Sequence, residues 1–128
     1  MGSYGDAALL AVSLVSSGKT ESAADAWATA TKATFPRSAS LQKKACPKGA
    51  FLGLCEEGLV VDIPSGVYTR SEKNKRYAVD ACRILRENPA MAATPDLLWT
   101  LVLNGSWMVH NRQMDVVLAL WNAGLIAE

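Results

Sequence analysis

The sequence predicts an all-α fold: one domain spanning residues 1–128, of about six helices, with a small turn or two-stranded element near residues 60–68. Three observations predict it. Apolar side chains recur at intervals of three and four residues through most of the chain, the spacing of one face of an α-helix. Helix-start and helix-stop residues punctuate those runs at short intervals. Half of the 128 residues are hydrophobic and a fifth are charged, enough to bury one core without disulfides or metals.

Each element has its own signals. The first helix runs from about Ala7 to Ser16, with Asp6 as N-cap and Gly18 as the stop. The second helix starts after Thr20 and is marked by Ala23, Ala24, Trp27, Ala30 and Ala33 before Pro36 ends it; its small residues let a neighbour approach closely. A short turn or helix from Ser40 leads to a third main helix, Pro47 to Glu57, opened by the Cys46-Pro47 step and closed by Gly58. Leu59, Val60, Val61 and Ile63 form the one β-like run. Pro64-Ser65-Gly66 reads as a tight turn with a positive φ at the glycine, and Val67-Tyr68 as a short returning strand.

Thr69-Arg70-Ser71-Glu72 fits the capping box of a helix that runs to about Glu87 and turns Tyr77, Ala78, Ala81, Ile84 and Leu85 inward. Asn88-Pro89 ends it. Thr94-Pro95 opens a helix to about Asn104, and Asn111 opens the last, which stops near Gly124. Leu52-x-Leu54-x-x-x-Gly58-Leu59-Val60 recurs in register as Leu118-x-Leu120-x-x-x-Gly124-Leu125-Ile126. Two matches describe shared capping chemistry at two helix ends, since repeat architectures need more units.

Composition excludes several function classes. A net charge of +1 excludes a strongly basic nucleic-acid protein, and the apolar content excludes intrinsic disorder. Cys46, Cys55 and Cys82 form no C-x-x-C pair, so they frame neither disulfides nor zinc, and a reducing cytoplasm is the expected setting. The apolar run from Ala7 to Val15 is too short to span a membrane, and without a preceding Lys or Arg it is no signal peptide. Ser13 to Thr20 ends like a phosphate-binding loop, but Ser13 stands where the first glycine is needed, in a helix rather than after a strand.

His110 is the single histidine, which rules out a His-based metal site, and it reads as an ordinary hydrogen-bonded side chain. Glu56-Glu57 is the one adjacent acid pair, expected to point to different sides of a helix. No cofactor or metal site is predicted. The one catalytic candidate is Cys46, where a helix N-terminus and Lys43, Lys44 and Lys48 would favour the thiolate; Cys55 and Cys82, inside apolar patterns, are the expected inert pair.

Charge placement is more informative than its total. From Arg37 to Arg86 ten basic residues face five acidic ones, a net of +5, whereas the rest of the chain carries three against seven, a net of −4. Lys43, Lys44, Lys48, Arg70, Lys73 and Arg76 are therefore the candidate anion or nucleic-acid surface. The stretch from Leu54 to Tyr68 resembles the recognition helix and wing of winged-helix proteins, although the helix offers Lys48 and two glutamates among small or apolar residues and looks built to be buried. Trp27, Trp99, Trp107 and Trp121 lie on or beside apolar helix faces and suit either a core or a subunit interface.

Ala45 to Leu59, Asn74 to Ala78, Met114 to Trp121 and Gly124 to Ile126 together resemble a family of small uncharacterised bacterial proteins, some carried on mobile gene cassettes such as integrons. The resemblance covers about two-thirds of the chain and implies a compact helical fold in a bacterial cytoplasm; it supplies no catalytic residues. The combined reading is a non-enzymatic binding module, acting through self-association or a protein partner and away from membranes. Nucleic-acid binding through residues 37–86 is the alternative, and thiol chemistry at Cys46 a second one.

Overall fold

A computed structural model describes residues 3–106, 108, 110 and 112–127. Its accessible surface of 6799 Å² is close to the roughly 6,600 Å² expected of a folded chain of this mass. Helix α1 (Ser3–Ser16) begins ahead of Asp6, whose carboxylate lies in the first turn, where the helix dipole favours it. It ends as expected at Gly18, with φ +76°, whose neighbour Lys19 donates its N–H to the Leu14 carbonyl. That backbone closes a helix and is no phosphate cradle.

Helix α2 (Ala23–Thr34) is capped by Ser22, whose hydroxyl accepts the Asp25 N–H at 3.1 Å, rather than by Thr20. Its core face is Ala23, Ala26, Trp27, Ala30 and Thr31, leaving Ala24 and Ala33 exposed. The one-turn α3 (Ala39–Gln42) follows a Ser38 cap. Helix α4 (Ala45–Glu56) starts two residues before Pro47, so the proline is its third residue, where no N–H is required.

Between α4 and α5 (Glu72–Glu87) the expected two-stranded return does not form. The turn lies at Val61-Asp62, where Asp62 and not Gly66 takes the positive φ, and Val67 is 93% exposed with no strand to join. Val60 pairs instead with Ile126 in an isolated antiparallel bridge. The capping box at Thr69 also fails: Ser71 is the N-cap of α5, and Thr69 Oγ1 accepts its N–H. Tyr77, Ala78, Ala81 and Leu85 are buried as expected, joined by Cys82, while Ile84 is half-buried.

A 3-10 turn (Pro89–Ala93) leads to α6 (Pro95–Leu103), which ends on a left-handed Asn104, and to α7 (Gln113–Asn122). Arg112, with φ 74°, precedes α7; the expected opener Asn111 lies outside the described residues, as does Trp107. Among the described residues these are six helices of nine residues or more plus the short α3. They share one core, in which Trp27 of α2 stacks on Phe51 of α4 with ring centroids 5.0 Å apart and Trp99 of α6 meets Tyr77 of α5 edge-on at 5.1 Å.

Helices α4 and α5 approach closely because α4 presents glycine on the contact face. A Cβ at Gly53 would lie 2.6 Å from the Cα and Cβ of Lys75, and one at Gly49 would lie 2.8 Å from Asn74 Cβ. Replacing Gly53 by alanine therefore sets an overpacking cost of about 1–3 kcal/mol against a helix-propensity gain of about 1 kcal/mol. Because the Cβ would meet the Lys75 Cα, a backbone atom that cannot rotate away, the cost lies toward the upper end, about 2–3 kcal/mol. The Gly53→Ala protein is expected to be destabilised by about 1–2 kcal/mol, seen as a lower urea midpoint at unchanged slope. An unchanged or higher midpoint would contradict the packing described.

Candidate functional site

Two clusters that are distant in sequence meet at the α4–α5 junction. Lys43 follows α3, Lys48 stands exposed on the first turns of α4, and Arg70 leads into α5; all three line a groove of about 380 Å³ together with Gly49, Tyr68 and Ser71. Its lining contains no carboxylate. The Ser71 side chain accepts no backbone N–H from the first turn of α5, and the positive end of that helix dipole also lies at this groove.

The two acids at the end of α4 are both paired with α5. Glu56 Oε1 accepts the backbone N–H groups of Tyr68 at 2.8 Å and Thr69 at 3.3 Å, and Oε2 accepts from the Lys75 ammonium at 2.5 Å. Glu57 also reaches Lys75, at 3.0 Å. The expectation that Glu56 and Glu57 point apart is thus corrected: the close approach of α5 brings one ammonium to both. The Lys75 hydrogen bond, then those from Tyr68 and Thr69, lower the Glu56 carboxyl to about 2, and the hydrogen bonds to Glu56 and then Glu57 raise Lys75 above the ordinary lysine value. Both groups are held charged, and Glu56 fixes the chain that carries Arg70.

Lys43 and Lys48 also border a second lobe of about 370 Å³, lined by Ala24, Trp27, Ala28 and Thr31 and carrying Lys32. Lys32 lies outside the 37–86 segment and is absent from the predicted surface; its spacing of four from Ala28 is the signal that places both on one face of α2. The other predicted cations do not join. Lys44 lines a separate cavity with Tyr4, Arg112 and Asp115, Lys73 sits 6.0 Å from the Tyr77 ring centre, and Arg76 is exposed on α5.

The winged-helix likeness finds no support in the geometry. Pro47 and the run from Gly49 to Cys55 are buried, leaving α4 no side-chain face for a DNA groove, and residues 60–68 hold no strand pair. Cys46, the second residue of α4, is half-buried, whereas burial raises the thiols of Cys55 and Cys82, the latter to about 11. Trp27 and Trp99 are core residues rather than interface residues, and Trp121 is half-buried. Among the described residues no group of three or more His, Cys, Asp or Glu is placed to hold a metal ion, and no helix is long and apolar enough to cross a membrane.

His110 helps to begin α7. Its Nε2 accepts the Met114 N–H at 3.0 Å, so the ring is neutral, and its edge contact with Trp99 at 5.2 Å buries it further. Burial lowers its pKa, with Asp115 opposing and Arg112 adding to the shift. The unfolded chain therefore takes up this proton first, and the stability held above the ordinary value of about 6.5 is lost as the pH falls through the lower folded value. Thermal melts between neutral and mildly acidic pH are expected to show that loss, and His110→Gln, which keeps an acceptor, should flatten it. An equal slope in the two proteins would assign the pH dependence to other groups.

No curated protein and no solved structure matches the chain. The profile of a family of unknown function, DUF6979, matches residues 1–127, and the chain belongs to that family.

Proposed function

We propose that this chain is a non-enzymatic binding module of the bacterial cytoplasm that holds an acidic segment of a protein partner in the groove between α3, α4 and α5. The observation that supports this reading is the convergence of Lys43, Lys48 and Arg70 on a lining free of carboxylates. Opposite charge across an interface selects partners and speeds their encounter. A protein segment fits better than a nucleic acid because single-stranded recognition uses ring faces on which bases stack. Here Trp27 is buried against Phe51, and Tyr68 is half-buried with its hydroxyl donated to the Pro64 carbonyl.

Exposed ion pairs contribute about 0.2–1 kcal/mol each, so the interaction is expected to be modest and salt-dependent. A fluorescein-labelled oligoglutamate peptide should bind at low ionic strength by fluorescence anisotropy and be released as salt is added. Reversing two contacts in Lys43→Glu/Arg70→Glu should weaken it about tenfold or more. The Lys73→Glu/Arg76→Glu protein, changed by the same charge outside the groove, should lose much less. Equal losses in the two double variants, no binding of the peptide, or tighter binding of a DNA duplex would each overturn the reading.

A further inference from the structure

Helix α5 carries a row of charges that the acidic-segment groove does not use. Arg76, Asp80, Arg83 and Glu87 follow one another at spacings of four, three and four residues, which keeps them on one strip of the helix, away from its buried face of Tyr77, Ala78, Ala81, Cys82 and Leu85. Their signs alternate from positive at Arg76 to negative at Glu87. The spacing is symmetric about the midpoint between Ala81 and Cys82, and the signs reverse across that same point. A second copy of α5, turned end for end by a two-fold axis level with the midpoint, therefore sets Arg76 opposite the partner's Glu87 and Asp80 opposite the partner's Arg83. The reverse pairs follow by symmetry, so every charge in the row meets its opposite. A two-fold interface requires a surface that complements itself, and this row does.

The side chains are free to make those pairs. Arg76, Arg83 and Glu87 are exposed and Asp80 is half-buried. Asp80 reaches Arg83 of its own chain only at 3.6 Å, with the Arg83 side chain still 61% exposed, and among the described residues Arg76 and Glu87 form no ion pair. Against a second copy each Asp80 would lie between two arginines, which turns isolated pairs into a network. Exposed ion pairs alone hold little, and the apolar contribution lies beside the row. Asp80, Arg83 and Glu87 share a groove of about 480 Å³ with Ile84, Met91 and Leu101. Leu101 is 46% exposed, and Leu97, one turn earlier on α6, is 45% exposed. A helix laid along the row covers this groove. Burial of its apolar residues supplies affinity, while the charges fix orientation and register, as they do between paired helices.

We propose that the charged row of α5 is a homodimer interface, in which two copies of this chain pack their α5 helices antiparallel about a two-fold axis level with Ala81 and Cys82. None of Lys43, Lys48 and Arg70 belongs to the row, so the dimer and the acidic-segment groove respond to different substitutions.

Sedimentation velocity tests the interface by charge reversal. The mass of the native protein should move toward that of two chains as its concentration rises, and added salt should oppose the change. Asp80→Arg and Arg83→Asp each set like charges face to face, and each protein alone should associate about tenfold or more weakly than the native one. Mixed in equal amounts, the two should associate as the native protein does, because each supplies the charge that the other has reversed. Loss of folding cannot mimic this restoration. Arg76→Glu and Glu87→Arg apply the same reversal at the ends of the row, and they serve as the second pair should either of the first fail to fold as judged by circular dichroism. A native protein that keeps the mass of one chain at every concentration would overturn the proposal. So would native-strength association of the single variants, or folded single variants that stay apart when mixed.

Discussion

The arrangement of this protein depends on how closely α5 lies against α4. Gly49 and Gly53, four residues apart on one helix face, leave only backbone at the contact, and Asn74 Cβ and the Cα and Cβ of Lys75 occupy that space. Everything nearby takes its position from this approach. It brings the Lys75 ammonium to Glu56 and Glu57, and through Glu56 it fixes the main chain at Tyr68 and Thr69. It also brings Asn74 within reach of Gln113 on α7, at 3.2 Å, while Asn74 donates to Ser71 at 2.8 Å. Ser71 at the edge of the groove is thereby linked through one polar chain to a fully buried side chain in the core.

The internal echo in the sequence has a spatial counterpart. Helices α4 and α7 pack against each other and end alike: Gly58 and Gly124 adopt positive φ, and the N–H groups of Leu59 and Leu125 return to the carbonyls of Leu54 and Leu120. The two tails then join, with Val61 donating to Leu125 and Ala127 donating to Leu59 at 2.9 and 2.8 Å. Backbone groups that follow a helix stop beside a buried Val60 must find partners, and each tail supplies them to the other. Arg86 of α5 adds a bond to the Ala127 carbonyl. The β-like run beginning at Leu59 is therefore explained by a pairing sixty-six positions away rather than by its own return.

Helix positions were legible because their signals are local. Gly18, Gly58 and Gly124 stop helices by taking positive φ, and Pro36, Asn88-Pro89 and Thr94-Pro95 mark boundaries that one residue type dictates. The errors came where two local solutions compete. Ser22 and Thr20 both offer a capping oxygen, as do Ser71 and Thr69, and tertiary packing decides between them. The site was legible only as charge. The density of cations in residues 37–86 pointed to Lys43, Lys48 and Arg70, but the choice of these over Lys44, Lys73 and Arg76, and the addition of Lys32, depends on which helix faces meet. Nothing in a helix's own spacing carries that information. The same holds for Glu56 and Glu57, whose common partner belongs to another helix.

Helix α7 is the last of the described helices in chain order, yet it packs against α1, α4, α5 and α6 and buries seven of its ten residues. During synthesis the earlier helices leave the ribosome with the apolar faces meant for it still open. Helix formation itself is fast, but closing this core waits for the arrival of α7. Until then α1, whose main packing partners are α2 and α7, keeps the face meant for α7 uncovered. A domain with mostly local helices thus acquires a vectorial folding order, in which α7 completes the interior of the helices that precede it.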